Sequence, residues 1–196
     1  MAIVSPTGKY LVDAVAARLG QTEASEDKVP SASQILEFIN TSLVEIVAEH
    51  GENMYNFIVM KSIVYGGAED IDDVLRVIFV AVQAATSAPI LSCRQVPVDE
   101  YYTMVFQGGN TQSDKGVWTW TPTLPADTPE YFDGVKVLTY PTVGAGGMKM
   151  VVFVQVPPPY EYDETRPERE IPFIYIPELI NRATALAKLG EQDTEA

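Results

Sequence analysis

The stretch between residues 128 and 159 constrains the fold most strongly. Two β-prone runs flank Asp133-Gly134, a dipeptide that suits the positive-φ positions of a tight hairpin turn. A Gly-rich bend at residues 144–147 leads into a further apolar run, Met148–Val156, and three prolines follow. Proline cannot donate to a strand ladder, so the run should end there. The pattern predicts a compact three-stranded antiparallel meander on which the rest of the chain packs.

Two helices are predicted before this region. Apolar residues recur at helical spacing between Ser5 and Gly20, and glycine is a common helix stop. Ser31 and Gln34 form a capping box at the start of a second apolar-periodic segment that Gly51 should end. The short polar connection between the two segments predicts that the helices pack as an antiparallel pair.

A third helix is predicted near the C-terminus, where Pro177 stands at the start of a periodic segment and Gly190 should end it. The predicted fold class is α+β: an α-helical bundle of two N-terminal helices and a C-terminal helix, with a small antiparallel β-domain. We expect a single domain over residues 1–196. Its helical part is 5–51 and 174–190, and its β-part is 56–159 with an extended loop at 103–127.

The extended loop contains Trp118 and Trp120, which would face the same side of a strand at a spacing of two. Two interpretations follow. The pair could form a platform for sugar stacking or protein docking, or it could belong to the core or cover a sheet face.

Net charge restricts the partners. The chain has 13 Lys and Arg residues against 27 Asp and Glu residues, a formal charge of −14. General attraction to phosphate requires clustered basic residues, so the composition argues against a DNA-binding module. Repulsion of DNA acts over a screening length of about 8 Å in physiological salt. A protein past which DNA slides without adhering is compatible with this charge.

Residues for catalysis are scarce. His50 is the only histidine and Cys93 the only cysteine, and the sequence has no phosphate-binding glycine loop, zinc motif or nucleophile elbow. We therefore expect no enzymatic activity, no metal and no cofactor. We also expect no signal peptide and no membrane partner, because no basic and apolar leader and no run of about 18 apolar residues occurs.

Several ordered motifs together resemble the bacteriophage head-to-tail adaptor (connector) family. The resemblance covers nearly the whole chain. It includes a helix-end motif at residues 17–20 and a helix-start motif at 33–40 that is similar to "Ile-Leu-x-x-Ile/Leu-Asn". A pre-strand motif follows at 72–77 and a short helical turn at 96–101. The hairpin at 128–141 is similar to "Thr-Pro-x-Tyr-Tyr … Leu-Tyr-Pro". Val154–Pro158 and the Ile-Pro before the last helix complete it.

The resemblance implies a structural virion protein at the head–tail junction, made in the host cytoplasm. Copies would form a homo-oligomeric ring, a dodecamer in this family, under the portal protein. The ring would extend the DNA channel, let genomic DNA pass without specific binding, and dock a downstream tail or nozzle protein. We assign portal contact to Glu178, Arg182, Lys188, Glu191 and Gln192. We assign tail contact to Asp114, Lys115, Trp118 and Trp120.

Two alternatives remain open at this point. One is a virion β-domain or carbohydrate-binding module that stacks sugars on Trp118, Trp120, Tyr101 and Tyr102. The other is a tail-completion or terminator protein, which differs from an adaptor in the neighbour that it contacts.

Overall fold

The structure, a computed structural model, describes residues 6–67, 70–106, 116–123, 134–163 and 170–194. The chain divides into two compact units, each described by itself below. A helical unit comprises Met1–Phe57 and Val156–Ala196, and a β unit comprises Ile58–Gln155.

The described residues form four α-helices and seven strands. The helices are α1 (Gly8–Arg18), α2 (Ala32–His50), α3 (Val98–Phe106) and α4 (Ile176–Thr194). The strands are β1 (Ile58–Val64), β2 (Asp70–Ile71), β3 (Val74–Gln83), β4 (Ile90–Gln95), β5 (Gly116–Thr123), β6 (Gly134–Tyr140) and β7 (Met148–Gln155). Short 3-10 turns occur at Gly51–Asn53, Tyr55–Phe57 and Phe173–Tyr175.

The boundaries of the first two helices follow from their caps. The hydroxyl of Thr7 accepts a hydrogen bond from the Tyr10 amide at the start of α1. Gly20 has φ +81° just after this helix, a conformation that glycine adopts without strain. The predicted capping box of α2 is confirmed, because Ser31 and Gln34 each accept a hydrogen bond from the other's amide.

Helix α4 is longer than the sequence predicts. It begins one residue before Pro177 and continues through Gly190 to Thr194, so the predicted stop at Gly190 is wrong. Glycine inside a helix costs about 1 kcal/mol relative to alanine, which neighbouring helical residues and packing offset. A Cβ at Gly190 would lie 3.5 Å from the Phe38 ring, an ordinary packing distance to α2.

The helical unit has a core shared by three helices. Helices α1, α2 and α4 contact one another in all three combinations. Their buried residues recur at helical spacing, including Leu11, Val15, Ile39, Leu43, Leu179 and Ala183. Asn40 adds a polar tie to the segment before α4, because its side chain binds both the amide and the carbonyl of Tyr160.

The predicted fold class is wrong. The described residues have a different α+β architecture, with four helices and a seven-stranded mixed sheet that curls into a half-barrel. It is not a helical bundle with a small antiparallel β-domain. Strand order is β1-β7-β3-β4-β5-β6-β2, and β4 with β5 is the parallel pair.

The predicted meander is also wrong, since β6 and β7 are not neighbours. Strand β6 pairs with β5 and β2, whereas β7 lies between β1 and β3. The Gly-rich bend explains the separation, because the Gly144 amide donates to the carbonyl of Ala84, just after β3. This contact directs β7 to β3. The predicted turn residue Asp133 lies outside the described residues.

Part of the predicted extended loop is regular structure. Residues 116–123 form β5, and α3 extends as far as Phe106. Helix α3 lies between the parallel strands β4 and β5 in sequence, as a crossover connection requires. Tyr101 anchors this helix, because its buried hydroxyl donates to the Thr139 carbonyl at 3.1 Å.

The curl places one apolar core on the inner face of the sheet. All seven strands contribute to it, with Ile63, Ile71, Val80, Val82, Cys93, Trp118, Val137, Val151 and Phe153. Two register irregularities in β3 fit the curl, since bulges bend strands. Buried Lys149 on β7 spans this face, donating to the Val137 carbonyl on β6 at 2.7 Å.

Candidate functional site

One cavity of the β unit is a groove beside the two tryptophans of β5, here called the Trp groove. Its volume is about 580 Å³. It is lined by the first residues of β3 and by residues of β4, β5 and β6, namely Val74–Val77, Gln95, Trp118, Trp120, Pro122 and Val135. Arg76 is the only charged residue in this described lining. The described lining suits an apolar side chain or a short apolar segment, and among its residues there is no carboxylate, histidine or cysteine for acid–base chemistry.

The two tryptophans have different environments in spite of their shared strand face. Trp118 is 4% exposed and packs in the inner core, which confirms the interpretation that it belongs to the core. Trp120 is 45% exposed and also lines a second cavity beside Val96–Val98. Only Trp120 can therefore offer much ring surface to a partner.

Only two of the four rings of the proposed sugar-stacking platform are accessible to a ligand. Trp118 and Tyr101 are buried, and the Tyr101 ring packs edge-on against Tyr102 at 5.5 Å. Tyr102 and Trp120 remain partly exposed. The other two predicted tail-contact residues, Asp114 and Lys115, lie outside the described residues.

Two of the predicted portal-contact residues belong to an ion network within the helical unit, here called the Arg182 cluster. Arg182 on α4 donates to both carboxylate oxygens of Glu49 on α2, at 2.9 and 2.7 Å. It also donates to Glu178 one turn earlier, and Glu45 lies 3.8 Å away. The fork geometry of the guanidinium explains this bidentate contact. The cluster therefore connects α4 to α2.

The charged groups of the Arg182 cluster shift one another's pKa values. The hydrogen bonds from Arg182 lower the pKa of Glu49, and those to Glu49 and Glu178 raise the pKa of Arg182. Glu49, His50 and Glu178 lie close enough together to ligate a cation. Arg182 already binds both carboxylates, and His50 stacks on Tyr175 with ring centroids 5.3 Å apart. The arrangement is that of a structural ion pair.

The end of α4 is better placed for contact with a partner. The side chain of Lys188 is exposed and makes no hydrogen bond or ion pair with any residue that the structure describes. The next residue, Leu189, is 60% exposed. Glu191 and Gln192 lie in the last turns of the helix, and their side chains are outside the description.

A further surface was not predicted as a site. Tyr55, Phe173 and Ile174 are all exposed, and their segments are joined because the Asn56 side chain donates to the Glu170 carbonyl at 2.9 Å. The signal was present in the sequence as the Pro-punctuated apolar run at residues 171–177, which has no helical or strand period. Exposed apolar groups of this kind mark interaction surfaces.

No family model matches this chain, and no curated protein matches it. Within the described residues, the helices are too short or too polar to cross a bilayer.

Proposed function

We propose that this chain is a structural virion protein, a head-to-tail adaptor whose copies form a ring under the portal. The ring extends the DNA channel and docks the tail. The observation that carries the proposal is the set of exposed large apolar side chains on an acidic chain. They occur on both units and include Tyr55, Ile90, Phe106, Ile174 and Leu189.

The distribution of these residues favours assembly over catalysis. Single exposed apolar residues are ordinary on a protein surface, whereas adjacent ones favour an interaction site, as at Phe173 and Ile174 and at Tyr102 and Phe106, whose ring centroids lie 6.3 Å apart. A junction protein has contacts with like copies and with two different neighbours. The Trp groove is apolar, and the described titratable cluster around Arg182 is an internal ion pair. The ordered motifs described above supply the family to which the proposal refers.

Charge supports the same role. Each copy has a formal charge of −14. Copies arranged around a channel would produce a summed negative potential, and such a potential disfavours adhesion of the DNA phosphates.

A co-expression experiment with the portal protein of the same phage tests the proposal. We expect the chain to co-purify with the portal and to retain no duplex DNA at physiological salt. Lys188→Glu with Leu189→Ala should weaken portal binding, since both side chains are exposed at the end of α4. Arg182→Met is the matched control on the same helix and should lower stability instead. Absence of portal binding by the unaltered chain would overturn the proposal.

The carbohydrate-binding alternative is less well supported, because Trp118 and Tyr101 are buried. It predicts glycan binding that is lost in Trp120→Ala.

A further inference from the structure

The Arg182 cluster of the helical unit does not balance its own charge. It contains the carboxylates of Glu45, Glu49 and Glu178 but only one guanidinium, so it has an excess of two negative charges when all four groups are ionised. Next to Glu49 on α2 stands His50, which adds an imidazole nitrogen to the same place. Excess negative charge beside an imidazole suits a divalent transition-metal ion.

The imidazole of His50 faces this excess charge without being hydrogen-bonded to it. Its Nε2 lies 3.7 Å from Oε2 of Glu49, a distance too long for a hydrogen bond. No hydrogen bond of His50 occurs among the residues that the structure describes. The ring stacks on Tyr175, which supports its orientation, and the side chain is 38% exposed. A nitrogen of His50 is therefore accessible to an ion from solution.

The distances in the cluster match those between two ligands of one metal ion. Zn²⁺ binds histidine nitrogen and carboxylate oxygen at about 2.0–2.2 Å in tetrahedral geometry, which places neighbouring ligand atoms about 3.3–3.6 Å apart. The 3.7 Å between His50 and Glu49 is close to this range. One ligand atom from each of Glu49, His50 and Glu178 lies within 4.8 Å of the other two. Small side-chain rotations would bring all three onto one ion.

Arg182 is compatible with a bound ion, although it already contacts two of the carboxylates. A carboxylate has about four lone-pair sites, and the guanidinium uses one on each oxygen of Glu49. At Glu178 it contacts Oε1, whereas Oε2 makes no hydrogen bond with a residue in the described part of the chain. Ligating carboxylates are commonly hydrogen-bonded by other groups, which orient them. Arg182 would have this orienting role.

We propose that Glu49, His50 and Glu178 bind a divalent transition-metal ion, of which Zn²⁺ is the type, with water in the remaining position. A donor set of one nitrogen and two carboxylates suits Zn²⁺ better than Ca²⁺ or Mg²⁺, which prefer oxygen ligands alone. The two charges of the ion neutralise the excess charge of the cluster. Because α2 supplies two ligands and α4 the third, the ion links the two helices.

This site differs from the expectation of no metal that the sequence supports. His50 has no second histidine to join it, and the third ligand, Glu178, comes from a distant part of the chain. Only the packing of α4 on α2 brings the ligands together. The inference is independent of the proposed adaptor role.

A zinc titration of the untagged full-length chain tests the site. His50→Phe removes the nitrogen, keeps a ring to stack on Tyr175 and leaves the ion pair of Arg182 intact. Glu37→Gln is the matched control, since Glu37 is exposed on the same helix and lies outside the cluster. Binding is measured by calorimetry with ZnCl₂, CaCl₂ and MgCl₂, and the thermal midpoint by circular dichroism.

We expect one Zn²⁺ per chain and weaker binding of Ca²⁺ and Mg²⁺. His50→Phe should weaken zinc binding by about tenfold or more, since even groups that only orient a ligand contribute that much. Glu37→Gln should bind as the unaltered chain does. Zinc at about 100 times its Kd should raise the thermal midpoint by about 5–10 °C. His50 is the only histidine, so its imidazole NMR signals are unambiguous and should shift at the zinc concentrations that release heat.

Three results would overturn the proposal. Equal zinc affinity of His50→Phe and the unaltered chain would indicate general attraction of cations to an acidic surface. Binding of Ca²⁺ or Mg²⁺ as tight as that of Zn²⁺ would exclude a nitrogen ligand. Unshifted imidazole signals in saturating zinc would do the same. If His50→Phe does not fold, the NMR titration of the unaltered chain decides the question alone.

Discussion

Replacing each tryptophan of β5 by alanine should produce two different defects, although the residues are two positions apart. Trp118 is 4% exposed in the inner core, so Trp118→Ala should cost about 3–5 kcal/mol in free energy of unfolding, as buried aromatic truncations do. Trp120 is 45% exposed, so about half of its surface is already in water. Scaling by that fraction gives about 1.5–2.5 kcal/mol for Trp120→Ala.

Urea unfolding followed by far-UV circular dichroism measures both values. The chain has two tryptophans, so each variant keeps one as a fluorescent probe. We expect blue-shifted, poorly quenched emission from Trp118 in Trp120→Ala, and red-shifted, acrylamide-accessible emission from Trp120 in Trp118→Ala. Under the proposed adaptor role, Trp120→Ala should also impair attachment of the tail. This is measured without urea, where the variant is folded. Equal losses of unfolding free energy in the two variants, or no loss in Trp118→Ala, would refute the assignment of Trp118 to the core and of Trp120 to the surface.

Three further predictions concern other parts of the chain. Because Arg182 lowers the pKa of Glu49, the pair stabilises the protein above the ordinary carboxyl pKa of 4.5 and loses that effect as pH falls through the lowered value. Arg182→Met should therefore flatten the dependence of unfolding free energy on pH below 5. Burial raises the pKa of Cys93 to about 11, so a thiol reagent at pH 8 should react about 100-fold faster in urea than with the folded chain; equal rates would show that Cys93 is exposed. Gly147→Ala should cost about 2 kcal/mol or more in a urea titration, since its Cβ would lie 2.4 Å from the Ala84 carbonyl oxygen.

Sequence patterns predict those elements whose boundaries have local causes. The capping box at Ser31 places the start of α2, because the two hydrogen bonds that define it are local to Ser31 and Gln34. The predicted stop at Gly190 fails because one unfavourable glycine is too weak to end a helix that its neighbours support.

Strand pairing has non-local causes, and there the sequence predicts less. Strand β5 is short in apolar residues and flanked by polar, Gly-rich and Pro-rich segments, so the sequence predicts a loop there. Its parallel pairing with β4 depends on a crossover through α3. The same limit applies to the Trp groove: a period of two places Trp118 and Trp120 on one face, but only the curl of the sheet determines that one is buried and the other is not.

The central proposal is that copies of this acidic chain encircle a DNA channel between portal and tail. Cryo-electron microscopy of the full-length chain mixed with the portal protein of its phage tests this most directly. The proposal predicts a closed ring, coaxial with the portal, with carboxylates lining an open channel. Particles that show the portal alone, with this chain remaining as single copies, would contradict it.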